Sequence, residues 1–321
     1  MSEITPILLI TFNRPKHTQK VLESIKNVKP QQLFVFQDGA RLNNNSDIEK
    51  CQEVRTIIQN MVDWPCEIHT NYSSCNLGCG PGPASAISWF FEHVEKGIII
   101  EDDAVIAPDF YEFATDLLER YNDDKSVCAI ASICILSQKY GDGSYYFSMM
   151  NRNLCAWATW RRAWKGFDIS LSGITEKKLK KCLCKQGMKL REREYWFEIL
   201  QMLQKDGMKG SSWDIQFLIK IWLNNQKGIC PNYNLSTNIG FDEYATHINN
   251  KESILANCPL ESIVPIVHPS NHDIIERADR DYHKMFFQPY EYGMKGFFRL
   301  PYRINKRLKK FLGHKGSWIK F

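Results

Sequence analysis

Residues Glu101-Asp102-Asp103 place three consecutive carboxylates directly behind the β-branched run Ile98-Ile99-Ile100. The apolar run suits a buried strand, because β-branched side chains fit a pleated surface covered on both faces. Carboxylates packed together at a strand end repel one another, and burying them unpaired is costly. A cation at that point removes the conflict. A divalent metal with oxygen ligands is the natural candidate, and such metals commonly bridge to phosphate groups. The metal reading points to chemistry on a nucleotide or another diphosphate. The alternative is a solvated acidic loop.

Two other apolar runs end in residues suited to the same chemistry. Residues 6–10 lead into Thr11-Phe12-Asn13-Arg14-Pro15, and residues 33–36 lead into Gln37-Asp38-Gly39. An arginine presents a planar fork that matches phosphate. An aspartate before glycine is also a common turn residue. Helical spacing follows over 15–26, 47–62 and 84–94, with a short strand at 66–69 and a Gly/Pro-rich connector at 76–83. Repeating strand–helix units predict an α/β sandwich, in three layers, with a mostly parallel central sheet. Ligands of such sheets bind beyond the carboxyl ends of the strands. Arg14, Asp38 and the acidic triplet are therefore expected on one rim.

The second half is less regular. Helices are predicted at 110–121, 176–185, 191–205 and 213–224, and strands at 127–130 and 145–148. Residues 234–248 read as a polar loop carrying Gly240 and His247. Trp157, Trp160 and Trp164 fall at helical spacing; such a stripe is either core or the source of one exposed ring for a sugar. The expected organisation is a domain over 1–265, with a nucleotide-binding half (1–104) and a second half (105–265), followed by an extension over 266–321.

A chain of 321 residues has room for one large domain or two small ones. Met1-Ser2-Glu3 opens with an early acid, and the apolar stretch 6–10 is far too short for a signal-peptide core or a span. Eleven cysteines without a paired framework fit reduced thiols, so a cytoplasmic location is expected. The net charge of +5 is uneven: residues 293–321 contain nine Lys/Arg and no Asp/Glu. There Ile304, Leu308 and Phe311 share a face among Lys306, Arg307, Lys309 and Lys310, with Trp318 and Phe321 beyond. Such a basic amphipathic segment suits an anionic membrane surface, which would make the protein peripheral on the inner face of the membrane. No nucleic-acid motif accompanies it. A solvated tail is the alternative.

Together, Glu101-Asp102-Asp103 and Val105-Ile106-Ala107-Pro108-Asp109-Phe110 resemble the N-acetylglucosaminyltransferase I type of GT-A glycosyltransferase. The connector at 76–83 is closer to bacterial sugar transferases of the same fold. The resemblance implies that Asp103 holds Mn²⁺ or Mg²⁺, bridged to the donor diphosphate, while Glu101 and Asp102 contact the donor's sugar and ribose. It implies a nucleotide contact for Arg14 and a base-reading role for Asp38. Ser212-Trp213-Asp214 resembles the family's helix-opening Trp-Asp pair, which makes Asp214 the general base. Residues 236–247 resemble a lid, with Gly240 as a hinge and His247 near the diphosphate. The motif departs from a strict Asp-x-Asp, and Cys155-Ala156 replaces small glycine-rich spacing.

The implied activity is metal-dependent, inverting transfer of a hexose or N-acetylhexosamine. The expected donor is a UDP-sugar, and the acceptor a glycan or a lipid-linked glycan, which the resemblance assigns to the half over 105–265. Two rivals stand beside it. A sugar-phosphate nucleotidyltransferase favours a glycine-rich N-terminal phosphate loop, and residues 11–16 contain no glycine. A non-catalytic nucleotide-sugar-binding protein retains the fold without turnover.

Overall fold

A computed structural model describes residues 5–150, 155–206, 213–241 and 255–287. His247 and the basic tail lie outside the described residues. An eight-stranded sheet runs in the order β3 (Glu67–Tyr72), β2 (Gln32–Gln37), β1 (Ile7–Thr11), β4 (Lys96–Glu101), β8 (Ala156–Trp160), β6 (Val127–Ala131), β9 (Lys227–Pro231), β7 (Tyr145–Ser148). β1 pairs in parallel with β2 and β4, β2 with β3, and β6 with β9. β8 runs against β4 and β6, and β7 against β9. The sheet is thus mostly parallel, as expected, with an antiparallel strand at its centre and another at its edge.

Alternation along the strands creates two cores. Ile7, Leu9, Leu33, Val35, Ile98 and Ile100 face one layer, and Leu8, Ile10, Phe34, Phe36 and Ile99 face the other. The first layer holds α1 (Pro15–Val28), α2 (Asn45–Met61) and α4 (Pro108–Arg120), through Val21, Ile25, Val54, Ile58, Phe113 and Leu117. The second holds α3 (Pro81–His93), α5 (Arg161–Trp164), α6 (Glu176–Lys185), α7 (Leu190–Asp206) and α8 (Asp214–Leu223). All five residues of β1 are buried. A strand covered on both sides must be apolar at every position, and that is why 6–10 reads as a continuous run.

The helical placement of the tryptophans is overturned, while their reading as core holds. Residues 156–160 form β8, and the tryptophans at 157, 160 and 164 share no helix. Trp157 is fully enclosed, Trp160 is 1% exposed and Trp164 is 5% exposed. None offers a face to an acceptor sugar. In this central strand Trp157 enters one core layer and Trp160 the other, and aromatic residues favour strands. The spacing of three between Trp157 and Trp160 imitates a helix by coincidence.

Residues 104–106 and 236–238 form a separate antiparallel pair, β5 (Ala104–Ile106) and β10 (Ser236–Asn238). Beyond them α9 (Glu276–Tyr282) closes over the sheet's far edge. There the buried Asp279 accepts hydrogen bonds from Ser148 Oγ and from Met149 N, the latter at 3.1 Å. Among the described residues no helix is long and apolar enough to cross a membrane.

Candidate active site

The parallel pairing of β1 with β4 sets Ile10 beside Glu101, so the residues just beyond both strands meet. Phe12 N donates to Asp102 Oδ2 at 3.1 Å. Arg14 Nη1 reaches Asp103 Oδ2 at 3.0 Å and Asp102 Oδ1 at 3.4 Å. Pro15 at the first position of α1 fixes where the turn becomes helix, and so where Arg14 leaves it. The turn is braced from the other side. Asn13 Nδ2 donates to Asp47 Oδ1 at 2.6 Å, and Arg41 grips the same carboxylate through Nε at 2.6 Å and Nη2 at 2.8 Å.

The antiparallel insertion of β8 beside β4 brings the chain's second half to this rim. Trp213, 4% exposed, stacks on Trp157 of β8 with ring centroids 5.5 Å apart. Its side chain hydrogen-bonds the Glu101 carboxylate, and Asp214, the first residue of α8, lies within electrostatic reach of the same group. Arg14, Glu101, Asp102, Asp103 and Asp214 therefore form one cluster.

Its electrostatics are unbalanced. Burial, then the charges of Asp103, Asp214 and Asp102, push Glu101 well above the ordinary carboxylate range, against the Trp213 hydrogen bond. Burial also raises Asp102, opposed chiefly by Arg14. Burial works to lower Arg14, but the surrounding carboxylates outweigh it and leave the guanidinium more firmly charged. Arg14, with His17 a weaker contributor, is set against four acidic groups.

One atom in the cluster is unsatisfied. Asp103 Oδ1 is buried and receives no hydrogen bond from the described residues. A buried carboxylate oxygen without a donor is costly. The site fits a divalent cation at that oxygen. Among the described residues no three His, Cys, Asp or Glu side chains are grouped to cage a metal. Mg²⁺-type ions characteristically take one or two carboxylates and complete their shell with water and substrate phosphate, so a cage is not required.

Asp38 stands apart from this cluster, at the end of β2. Its carboxylate accepts from Gly39 N at 2.9 Å, Leu77 N at 2.8 Å, Gly78 N at 3.0 Å and Asn76 Nδ2 at 3.1 Å. Burial raises its pKa, opposed by these backbone donors. Asp38 thus pins the connector preceding α3. Gly39 permits the approach, since a methyl group there would lie 2.5 Å from the Cys75 carbonyl carbon.

Several contributors carry no mark in the sequence. Trp213 was legible as a helix opener, yet its contact with Glu101 crosses more than a hundred residues. Asp47 reads as an ordinary first-turn helix acid, and only the folded chain sets it beneath Asn13 and Arg41. Gly240 reads in the sequence only as a flexible loop position, and nothing there marks its contact with Asp103.

No protein-family model and no curated protein matches the chain. Several solved structures are similar to it. One is a mannosyltransferase from Pyrobaculum calidifontis in complex with GDP-Man and Mn²⁺, at 14% identity over 50% of this chain and 45% of that chain, with a TM-score of 0.35. Another is a UDP-glucose pyrophosphorylase complexed with UDP-glucose, at 10% identity over 72% of this chain and 91% of that chain, with a TM-score of 0.36. A third is 4-diphosphocytidyl-2C-methyl-D-erythritol synthase from Anaerococcus prevotii, at 9% identity over 61% of this chain and 84% of that chain, with a TM-score of 0.30. The similarity thus spans less than half of the mannosyltransferase's own length.

Proposed function

We propose that this chain is a metal-dependent, inverting glycosyltransferase that moves a sugar from a nucleotide-diphosphate donor, a UDP-sugar, to a glycan or lipid-linked acceptor. The observation that carries the reading is Asp103 Oδ1, a buried carboxylate oxygen without a donor among the described residues, inside an acidic cluster countered chiefly by Arg14. Asp103 is the residue that would hold Mn²⁺ or Mg²⁺. Such an ion, when bound, supplies positive charge to the departing diphosphate.

The chain's own residues divide the remaining work. Arg14, now on Asp102 and Asp103, has the fork geometry to turn toward a donor phosphate. Glu101 and Asp102 line the place where the donor's sugar and ribose belong. Asp214, on a separate element from the triplet, takes the proton from the acceptor hydroxyl; a base must stand within hydrogen-bond reach of the proton it removes. Asp38 acts by shaping the connector that borders the nucleotide side, since its carboxylate already holds four donors.

The test is hydrolysis or transfer from a panel of nucleotide sugars with and without Mn²⁺. Metal-dependent release of a nucleoside diphosphate supports the reading. Pyrophosphate release from a nucleoside triphosphate and a sugar phosphate would instead assign a nucleotidyltransferase.

A further inference from the structure

β5 follows Asp103 without a break, and β10 pairs with it so that Asn238 stands opposite Ala104. Just past the pair, Ile239 N donates to Asp103 O at 2.9 Å. This brings Gly240 against the Asp103 side chain. A methyl group on Gly240 would lie 2.3 Å from Asp103 Oδ2, 2.9 Å from its Cβ and 3.0 Å from its Cγ. Gly240 does not adopt the left-handed conformation that favours glycine, so what requires glycine here is space.

Gly240 is also prevented from retreating. Asn238 Oδ1 accepts from Gly240 N at 2.7 Å. The Asn238 side chain hydrogen-bonds Cys155, and its backbone oxygen accepts from Asn257 N at 3.1 Å. Asp103 Oδ2 is thereby enclosed between Gly240 and Arg14, while Oδ1 is left without a partner among the described residues.

We propose that Gly240, clamped by Asn238, is a positioning residue that fixes the Asp103 carboxylate so that Oδ1 faces a divalent cation. This rests on the reading of Asp103 as the metal-holding residue. Gly240→Ala has no room without moving the carboxylate. Asn238→Ala keeps the space but releases the clamp.

The experiment uses the full chain with UDP at saturation and follows free Mn²⁺ by electron paramagnetic resonance, alongside the thermal unfolding midpoint in EDTA. Gly240→Ala is expected to weaken Mn²⁺ binding by about tenfold or more, the range typical of groups that orient a metal ligand. Asn238→Ala is expected to give a smaller loss in the same direction. In both, the midpoint in EDTA stays near that of the native chain; a purely structural role would lower that midpoint and leave Mn²⁺ affinity unchanged. Native Mn²⁺ affinity in Gly240→Ala would overturn the proposal. Should Gly240→Ala fail to fold, Asn238→Ala decides, and unchanged affinity there overturns it equally. Asp103→Asn separates the two claims. If it still binds Mn²⁺, the metal assignment fails. If it loses Mn²⁺ while both other variants keep it, only the positioning role fails.

Discussion

At the residue scale, the cluster divides into groups that bear charge and groups that hold them still. Asp214 belongs to the first kind. Removing a general base costs about 10²- to 10⁴-fold in rate. With Asp214 as the proposed base, Asp214→Asn is expected to lose transfer by that order while retaining the metal-dependent thermal shift with donor, because it lies outside the Asp103–Arg14 contact. Loss of donor binding in this variant would move Asp214 from chemistry to substrate holding.

Asp47 belongs to the second kind. The Arg41 hydrogen bond, with further donors from Arg41 N and Asn13, lowers its pKa from an ordinary 3.8 to about 2. A depressed carboxylate contributes stability that is present above pH 3.8 and is lost as the pH falls through 2. The shift corresponds to at most about 2 kcal/mol, and nearer ~1 kcal/mol once screening of the exposed Arg41 is counted. In urea unfolding, the native chain should exceed Asp47→Asn by this amount at pH 6, with the difference shrinking between pH 4 and pH 2. A difference independent of pH would show that the ion pair contributes nothing.

At the element scale, burial on both faces decided what could be read from the sequence. β1, β2 and β4 stand out as continuous apolar runs because helices cover both of their sides. α1, α4 and α6 carry a clear one-sided pattern, which locates their lengths closely. β8 carries no such signature. Its alanines, threonine and tryptophans follow no apolar run or polar alternation, although every residue is buried. β5 and β10 contain three residues each, too few for any period to register. The same elements decide which parts of the site are legible in the sequence. Arg14 and the triplet follow runs that pair directly, so their meeting was legible. The approach of Trp213 and Gly240 depends on β8 and on the β5–β10 pair, which no local pattern reveals. Trp157 ties the start of α8 to the centre of the sheet, since it lies in β8 beside β4 and stacks on Trp213. Trp157→Ala should cost about 3–5 kcal/mol in chemical unfolding. A cost below ~1 kcal/mol would mean that the rings around it collapse into the space.

At the scale of the whole molecule, charge is distributed by region. The acidic cluster sits on one rim of the sheet, and nine basic residues without an acid occupy 293–321. If that tail meets an anionic membrane, a chain ending near residue 290 should lose flotation with vesicles containing anionic lipid, and salt should weaken binding of the full chain. Equal flotation by both chains would remove the tail from any membrane role.

On the proposed reading, the acidic rim holds a divalent cation together with a nucleotide sugar. The most direct measurement is the thermal unfolding midpoint across a panel of nucleotide sugars, with Mn²⁺ or with EDTA, for the native chain and for Asp103→Asn. A ligand that binds only the folded state at 100 times its dissociation constant adds about 2.7 kcal/mol of stability. The expected result is a rise in midpoint that requires Mn²⁺ and a UDP-sugar together and that disappears in Asp103→Asn. No metal-dependent rise with any nucleotide sugar, or an undiminished rise in Asp103→Asn, would contradict it.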